Sequence, residues 1–325
     1  MAFDDVLLRR YLTPITPALR QAGVTDLVVN QPGAFLVERH HVWSHHAAPE
    51  LTPTWLETLA RAAAAASAQD VDDAHPICST HLPDGERCQI VLPPAAAHVS
   101  LTIRRPTDQQ LTLDDLAGQG LFDRATVADG VTARRSELDS LYRARDWRGF
   151  LAAAVQARCN ILISGATGSG KTTLAKALGA QIARDERLIT LEDVAEFALP
   201  HANQVRLFYA KSGQGLAKVG PKDLLESALR MRPDRVLLQE LRDGAAYTYL
   251  RNVASGHPGA ITTVHAGGVD QAFAQLCLLV KEAPEAASLS RAEVEGLLRN
   301  LIDVVVQIER EPQGRRVSEI WFGRR

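Results

Sequence analysis

Apolar and polar positions along this chain follow two regimes. In the front third, helical and strand patterns mix. Phe3 to Leu12 spaces its apolar residues as a short amphipathic helix. Leu27–Asn30 and Ala34–Glu38 alternate as two strands of a hairpin, with a turn at Gln31-Pro32-Gly33. Pro53 to Gln69 is rich in alanine, the best helix former, and predicts a helix. Arg87–Leu92 and Val99–Arg104 are short alternating runs, read as strands. Residues 1–105 therefore predict a small α+β domain. Pro106 to Gly120 is polar and broken by Pro106, Gly118 and Gly120, so residues 106–135 read as a linker. Ser136 to Arg158 reads as helical. From Asn160 onward, apolar strand-like runs alternate with helical ones, which predicts a parallel sheet in an α/β domain spanning residues 136–325. No internal repeat is visible.

Bulk composition narrows the class. A length of 325 residues suits two domains, and 46% hydrophobic content suits a packed core. Thirty-six basic residues against 38 acidic ones leave no global pull toward nucleic acid or an anionic membrane. The cysteines are Cys78, Cys88, Cys159 and Cys277. Their spacing matches neither a zinc site nor a disulfide framework, so free thiols are expected. Acids at Asp4 and Asp5 without an apolar core read against a signal peptide. No apolar run is long enough to span a bilayer, so membrane contact is expected to be peripheral. His40, His41, His45 and His46 surround Trp43. With no Cys or acid to complete a ligand set, they read as a polar hairpin edge.

One segment carries chemistry. Gly165-Ala166-Thr167-Gly168-Ser169-Gly170-Lys171-Thr172 fits GxxxxGK[ST]. An apolar strand, Asn160 to Ser164, precedes it, and a helix, Thr172 to Ala183, follows it. Strand, glycine loop and helix are the setting a phosphate loop requires. Glycines let backbone N–H groups curl around phosphate oxygens, and the helix N-terminus adds partial positive charge. Lys171 then reaches the β- and γ-phosphates of ATP, and Thr172 offers its hydroxyl to Mg²⁺. A glycine-rich turn that binds nothing would not need that strand–helix context.

Three further apolar strands end in polar residues: Leu188–Leu191 at Glu192-Asp193, Arg235–Gln239 at Glu240, and Ala260–Val264 at His265. Ligands in open α/β sheets bind beyond the carboxyl ends of strands. Glu192, Glu240 and His265 are thus expected near the γ-phosphate, where a carboxylate can hold Mg²⁺ through water or orient the attacking water and a histidine can contact the phosphate. Acids at strand ends are also common as plain solvated surface, and only their coincidence with the phosphate loop argues otherwise.

In combination and order these segments resemble the secretion superfamily of traffic ATPases, most closely the hexameric ATPase of type IV secretion and conjugation systems. Gly165 to Thr173 is similar to its Walker A motif. Leu188 to Asp193 with Glu196 is similar to its Asp box, Met231 to Arg242 to its Walker B, and Ser255 to Ala266 to its His box. In front, Gly23-Val24-Thr25-Asp26, Asn30, Val37-Glu38-Arg39, Gly85-Glu86-Arg87 and Thr102 to Pro106 resemble the family's opening domain. The resemblance implies a RecA-like P-loop NTPase C-terminal domain behind a smaller α+β N-terminal domain. It implies ATP and Mg²⁺ as ligands, with Gly165 to Thr173 as the nucleotide loop and Thr172 and Glu240 on Mg²⁺, the latter through water. Glu240, Glu192 and His265 would assist hydrolysis. Arg87 and Arg104, by themselves ordinary surface arginines, would reach the γ-phosphate from the front domain. A homo-hexameric ring is implied, peripheral to the cytoplasmic side of the inner membrane, partnered by channel and ATPase subunits. Its cargo would be secreted protein or DNA, without sequence-specific nucleic-acid binding. ATP would clamp the two domains together, with Pro106 to Gly120 as the hinge.

Two positions depart from the pattern. Gln239 stands where the family usually has glycine, and Asp243 where a small residue is common. Rival readings are a pilus-retraction or type II secretion ATPase, a DNA-translocating ATPase and a nucleotide-binding scaffold. No CxxC pair is present, unlike the zinc module of many type II and pilus-assembly members.

Overall fold

The computed structural model describes residues 3–106, 112–123, 125, 133–210, 215–254 and 256–323. The front domain runs α1 (Phe3–Leu12), α2 (Thr16–Leu19), β1 (Val24–Val29), β2 (Ala34–Arg39), β3 (Val42–Ala47), α3 (Pro53–Ala65), β4 (Ile77–His81), β5 (Arg87–Val91) and β6 (Ser100–Arg104). Its strands form one antiparallel sheet in the order β3-β2-β1-β6-β5-β4. Thr52 caps α3 by accepting from the Trp55 N–H at 3.2 Å, and Pro53 opens the helix. Leu56, Leu59, Ala60 and Ala63 then fall at helical spacing on one buried stripe. They pack with Leu8, Leu27, Ile90 and Ile103 into the front core.

The predicted hairpin is present, and Gly33 takes the left-handed conformation in its turn (φ +82°). His40 and His41 both have positive φ, so they are the two central residues of a tight turn joining β2 to β3. His45 and His46 lie on β3, the edge strand, and His46 stacks on Phe35 at 5.1 Å. The histidine run is an edge hairpin, as its pattern suggested. Among the described residues no cluster of three or more His, Cys, Asp or Glu side chains is arranged as a metal-ligand set. The strand β4 had no clear alternating signal. It forms because β5 offers it a complete ladder from Ile77↔Val91 to His81↔Arg87.

The stretch read as irregular linker contains a helix, α4 (Leu113–Gly118). Thr112 accepts from the Asp115 N–H and Asp115 accepts from the Thr112 N–H, a reciprocal cap that outweighs the nearby glycines. The rest of the expected hinge, 107–111, lies outside the described residues. The single helix expected over Ser136–Arg158 is two: α5 (Ala133–Arg143) and α6 (Trp147–Gln156). Arg145 at φ +57° breaks the run, and Asp146 caps the second helix through the Gly149 N–H.

The C-terminal domain continues with β7 (Ile161–Ser164), α7 (Lys171–Gly179), β8 (Leu188–Glu192), β9 (Gln204–Phe208), α8 (Pro221–Ala228), β10 (Arg235–Leu238), α9 (Ala245–Ala254), β11 (Ile261–Val264), α10 (Val269–Lys281), α11 (Arg291–Leu301), β12 (Val304–Glu311) and β13 (Gly314–Phe322). The sheet order is β13-β12-β7-β11-β10-β8-β9, parallel except for the β12–β13 hairpin. Alternate residues feed two cores. Ile161, Ile163, Leu237 and Val304 face the α6–α7 side, while Leu162, Val236, Leu238 and Val305 face the α9–α10 side. That two-sided burial explains the unbroken apolar runs read in the sequence. Among the described residues no helix is long and apolar enough to cross a membrane.

The two domains are tied together at the amino ends of β8 and β10. Arg187 is fully buried and donates to Met231 O, Asn203 Oδ1, and Asn30 Oδ1 and Thr102 Oγ1 of the front domain. Burial pulls its pKa down to about 9, so the charge is kept at neutral pH. Beside it, Arg232 grips the buried carboxylate of Glu38 and that of Asp234. Replacing Arg232 by alanine leaves Glu38 buried without its partner. We expect a loss of about 3 kcal/mol in urea unfolding monitored on the front domain. A loss under about 0.5 kcal/mol would show that the contact carries no stability.

Candidate functional site

β7 ends at Ser164 and α7 begins at Lys171, so Gly165 to Gly170 is the turn between them. Gly168 and Gly170 have φ of +76° and +104°, which side-chain-bearing residues rarely adopt. Ala166, Thr167 and Gly168 form an exposed tip, whereas Ser169 is buried. The Ser169 hydroxyl has no hydrogen-bond partner among the described residues, and neither does that of Thr172. An unpaired buried hydroxyl in a glycine loop is a group that a polar ligand can satisfy. Thr173 faces solvent on the first turn of α7.

Lys171 is only 7% exposed. Its Nζ donates to Gly165 O at 2.8 Å and Ala166 O at 3.1 Å, folding the side chain back over the loop. It also lies 3.2 Å from His265 Nδ1. An ammonium can only donate, so Nδ1 is the acceptor and the imidazole proton sits on Nε2. Nε2 in turn lies 2.7 Å from Glu240 Oε1, a close contact whose angle does not make a hydrogen bond. Glu240 Oε2 pairs with Arg242, whose Nη1 donates to Asp193 Oδ2 at 2.8 Å. Burial lowers the pKa of Lys171, and the nearby Glu240 charge opposes that shift.

The structure thus brings together Lys171 from the start of α7, His265 from the end of β11 and Glu240 from beyond the end of β10. Glu192 is placed differently. It is completely buried and accepts from Thr190 Oγ1, Glu196 N, Phe197 N and both Arg206 Nε and Nη2, all at 2.7–3.0 Å. Its oxygens are occupied in holding the turn after β8 to β9. The link from that turn to Glu240 is Gln239, whose Oε1 accepts from Asp193 N at 3.1 Å and whose Nε2 donates to Glu196 at 3.3 Å. The unexpected side chain beside Glu240 therefore braces a loop. A cavity of about 670 Å³ opens on the far side of Glu240, lined also by Asp193, Tyr209, Lys218 and Arg242.

Arg87 and Arg104 face each other across β5 and β6, and both are exposed. Arg104 stands opposite Asp26, whose pKa burial raises and Arg104 pulls back down. Asp26 neighbours Glu38, and Glu38 is held by Arg232 at the amino end of β10. From Arg235 through β10 to Glu240 the chain, if extended throughout, runs about 16 Å. Within one chain, then, the two arginines lie at the opposite end of the sheet from the phosphate loop. Arg242 and Arg206, which hold the two carboxylates, were missed as partners. Arg242 had a signal, since two residues apart on an extended chain share a face with Glu240. Arg206 had none.

The geometry of a glycine loop with a buried lysine and a strand-end carboxylate finds its counterpart among known proteins. Residues 11–313 match the family described as "Type II/IV secretion system protein". The chain belongs to that family. It is 46% identical over 325 residues to the type IV secretion system protein VirB11 of Bartonella henselae, covering 96% of this chain and 91% of that protein. It is 42% identical over 322 residues to VirB11 of Brucella suis, covering 96% and 89%. The crystal structure of the VirB11 ATPase from the Brucella suis type IV secretion system, in complex with sulphate, superposes with a TM-score of 0.93 at 40% identity, covering 98% of this chain and 95% of that one. This member of the family is accordingly an ATPase motor of type IV secretion, with a RecA-like C-terminal domain. The resemblance drawn from the four motifs is borne out.

Proposed function

We propose that ATP binds in Gly165–Thr173 and is hydrolysed beside Glu240, in a ring that closes and opens its domains to drive secretion. The observation that carries this reading is the grouping of Lys171, His265 and Glu240 within contact distance, Lys171 to His265 and His265 to Glu240. With nucleotide bound, Lys171 exchanges Gly165 O and Ala166 O for the β- and γ-phosphate oxygens, and His265 follows the γ-phosphate. The hydroxyl of Thr172 and the carboxylate of Glu240 are oxygen donors of the kind Mg²⁺ takes, the latter through water. Mg²⁺ there would neutralise charge on the β- and γ-oxygens. Glu240 orients the attacking water once its grip on Arg242 loosens, and Glu192 supports it through the turn that Gln239 braces.

Arg87 and Arg104 complete the site from a neighbouring subunit. Arg104 stands beside Asp26 and Arg232 at the amino ends of its own chain's strands, so another copy is the better placed to bring these arginines to the γ-phosphate. Six copies in a ring, docked from the cytoplasmic side onto inner-membrane channel and ATPase subunits, fit this division. The cargo is secreted protein or DNA.

Glu240→Gln keeps the shape and removes the charge. We expect kcat to fall about 10²- to 10⁴-fold with KM nearly unchanged. An unchanged kcat would remove Glu240 from the reaction. Turnover of the wild-type protein with and without DNA separates a secretion motor, which DNA leaves unaffected, from a DNA translocase, which it stimulates.

A further inference from the structure

The last hairpin of the chain runs along the phosphate loop. β12 lies parallel to β7, with Gln307 opposite Ser164, and continues beyond it to Glu311. Val304, Val306 and Ile308 point into the core shared with α7. Alternation then puts Arg310 on the same face, one step past the end of the core. Arg315 of β13 is its cross-strand partner and shares that face.

Both side chains come close to the glycines of the loop. A Cβ built on Gly170 would stand 2.8 Å from Arg315 Cδ and 3.3 Å from its Nε. One built on Gly168 would stand 4.0 Å from Arg310 Nη1. Both arginines are exposed, and among the described residues neither side chain has an ion pair or a hydrogen bond. The acids of the hairpin are on the other face, where Glu309 and Glu311 both pair with Arg316. Like charges directly opposite one another on a hairpin destabilise it. The fold gives this pair no counter-charge, while the loop beside it is built to hold phosphate.

Its position says which part of the nucleotide it meets. β7 lies between β11 and β12 in the sheet. The γ-phosphate machinery, His265 and Glu240, follows β11 and β10 on one flank of the loop. Arg310 and Arg315 occupy the other flank. We propose that Arg310 and Arg315 are nucleotide-binding residues that hold the bound nucleotide on its α-phosphate side. The inference rests on the reading of Gly165–Thr173 as the nucleotide loop. Guanidinium groups suit the task, being fork-shaped donors that stay charged at any working pH. Contacts on that side are made equally before, during and after γ-phosphate transfer. They therefore strengthen binding without changing the chemical step.

The test is the affinity of Arg310→Ala, Arg315→Ala and the double variant, in the full-length protein, for ADP and for a non-hydrolysable ATP analogue. The double variant should weaken both by the same factor, about tenfold or more for two charge-assisted bonds. Its kcat at saturating ATP should stay within about threefold of the parent. Arg315→Lys should recover part of the loss. ADP affinity within about twofold of the parent in the double variant overturns the proposal. So does a loss confined to the triphosphate analogue, which would move the pair to the γ side. A changed oligomeric state with unchanged affinity would assign the arginines to a subunit contact and overturn it as well. Lys171→Ala serves as the reference. If that variant binds ADP normally, the loop reading itself fails. If it loses ADP while the double arginine variant does not, only this proposal does.

Discussion

Lys171→Ala is expected to abolish ATP turnover and to weaken nucleotide binding, the largest effect of any single change in this chain. The reason is visible before any ligand is considered. The Lys171 ammonium is almost buried, held only by two backbone oxygens and a neutral imidazole, with burial depressing its pKa. A cation kept there without a carboxylate in direct contact is poised for a stronger anion. Bound phosphate would supply it, and the lysine would return the favour by neutralising charge that develops on the transferring group. Loss of one such donor costs about 10²- to 10³-fold in kcat even where others remain. Steady-state phosphate release checks it, and turnover at the parent rate would dismantle the site as described. The fold should survive, because alanine is the better helix former and Gly170 still begins α7.

Arg104→Ala should keep nucleotide binding and lose about 10³- to 10⁵-fold in turnover, as expected for an arginine that neutralises the transition state. Position makes the stronger form of this prediction. In one chain Arg104 lies near Asp26 and Arg232, at the amino ends of the strands, with Glu240 at their other end. If the arginine acts on a neighbour's nucleotide, Lys171→Ala and Arg104→Ala subunits should complement one another. A site that takes its loop from the second variant and its arginine from the first is intact. Random mixing in equal amounts makes about a quarter of the sites so. Recovered ATPase activity in mixed rings supports the arrangement between subunits. No recovery, with each variant alone inactive and rings still forming, would place both groups in one chain.

The phosphate loop was legible because its chemistry is local. Glycines at positive φ, a strand before them and a helix after them lie within some twenty residues. The same holds for the strand ends Glu240 and His265, since an apolar run that stops at a polar residue already says where the sheet ends. The hairpins, the alanine-rich helix and the parallel sheet followed from the period of burial. The misreadings were also local in origin: the cap at Thr112 and the break at Arg145 were hidden under composition.

What the sequence determined by itself is the kind of machine, a strand–glycine loop–helix with a lysine at the loop's end and a carboxylate and an imidazole at the neighbouring strand tips. Only the tertiary structure decided which of those groups are free. Glu192 is taken by Arg206, Glu240 by Arg242 and His265, and Glu38 by Arg232, 194 residues away. Only it decided that Thr102 and Asn30 of the front sheet meet Arg187 at the amino end of β8, and that an unpaired arginine hairpin flanks the glycines. Backbone conformation is written in neighbouring residues through sterics and periodicity. The partner of a charge is set by whichever segment packs beside it, and no spacing along the chain encodes that.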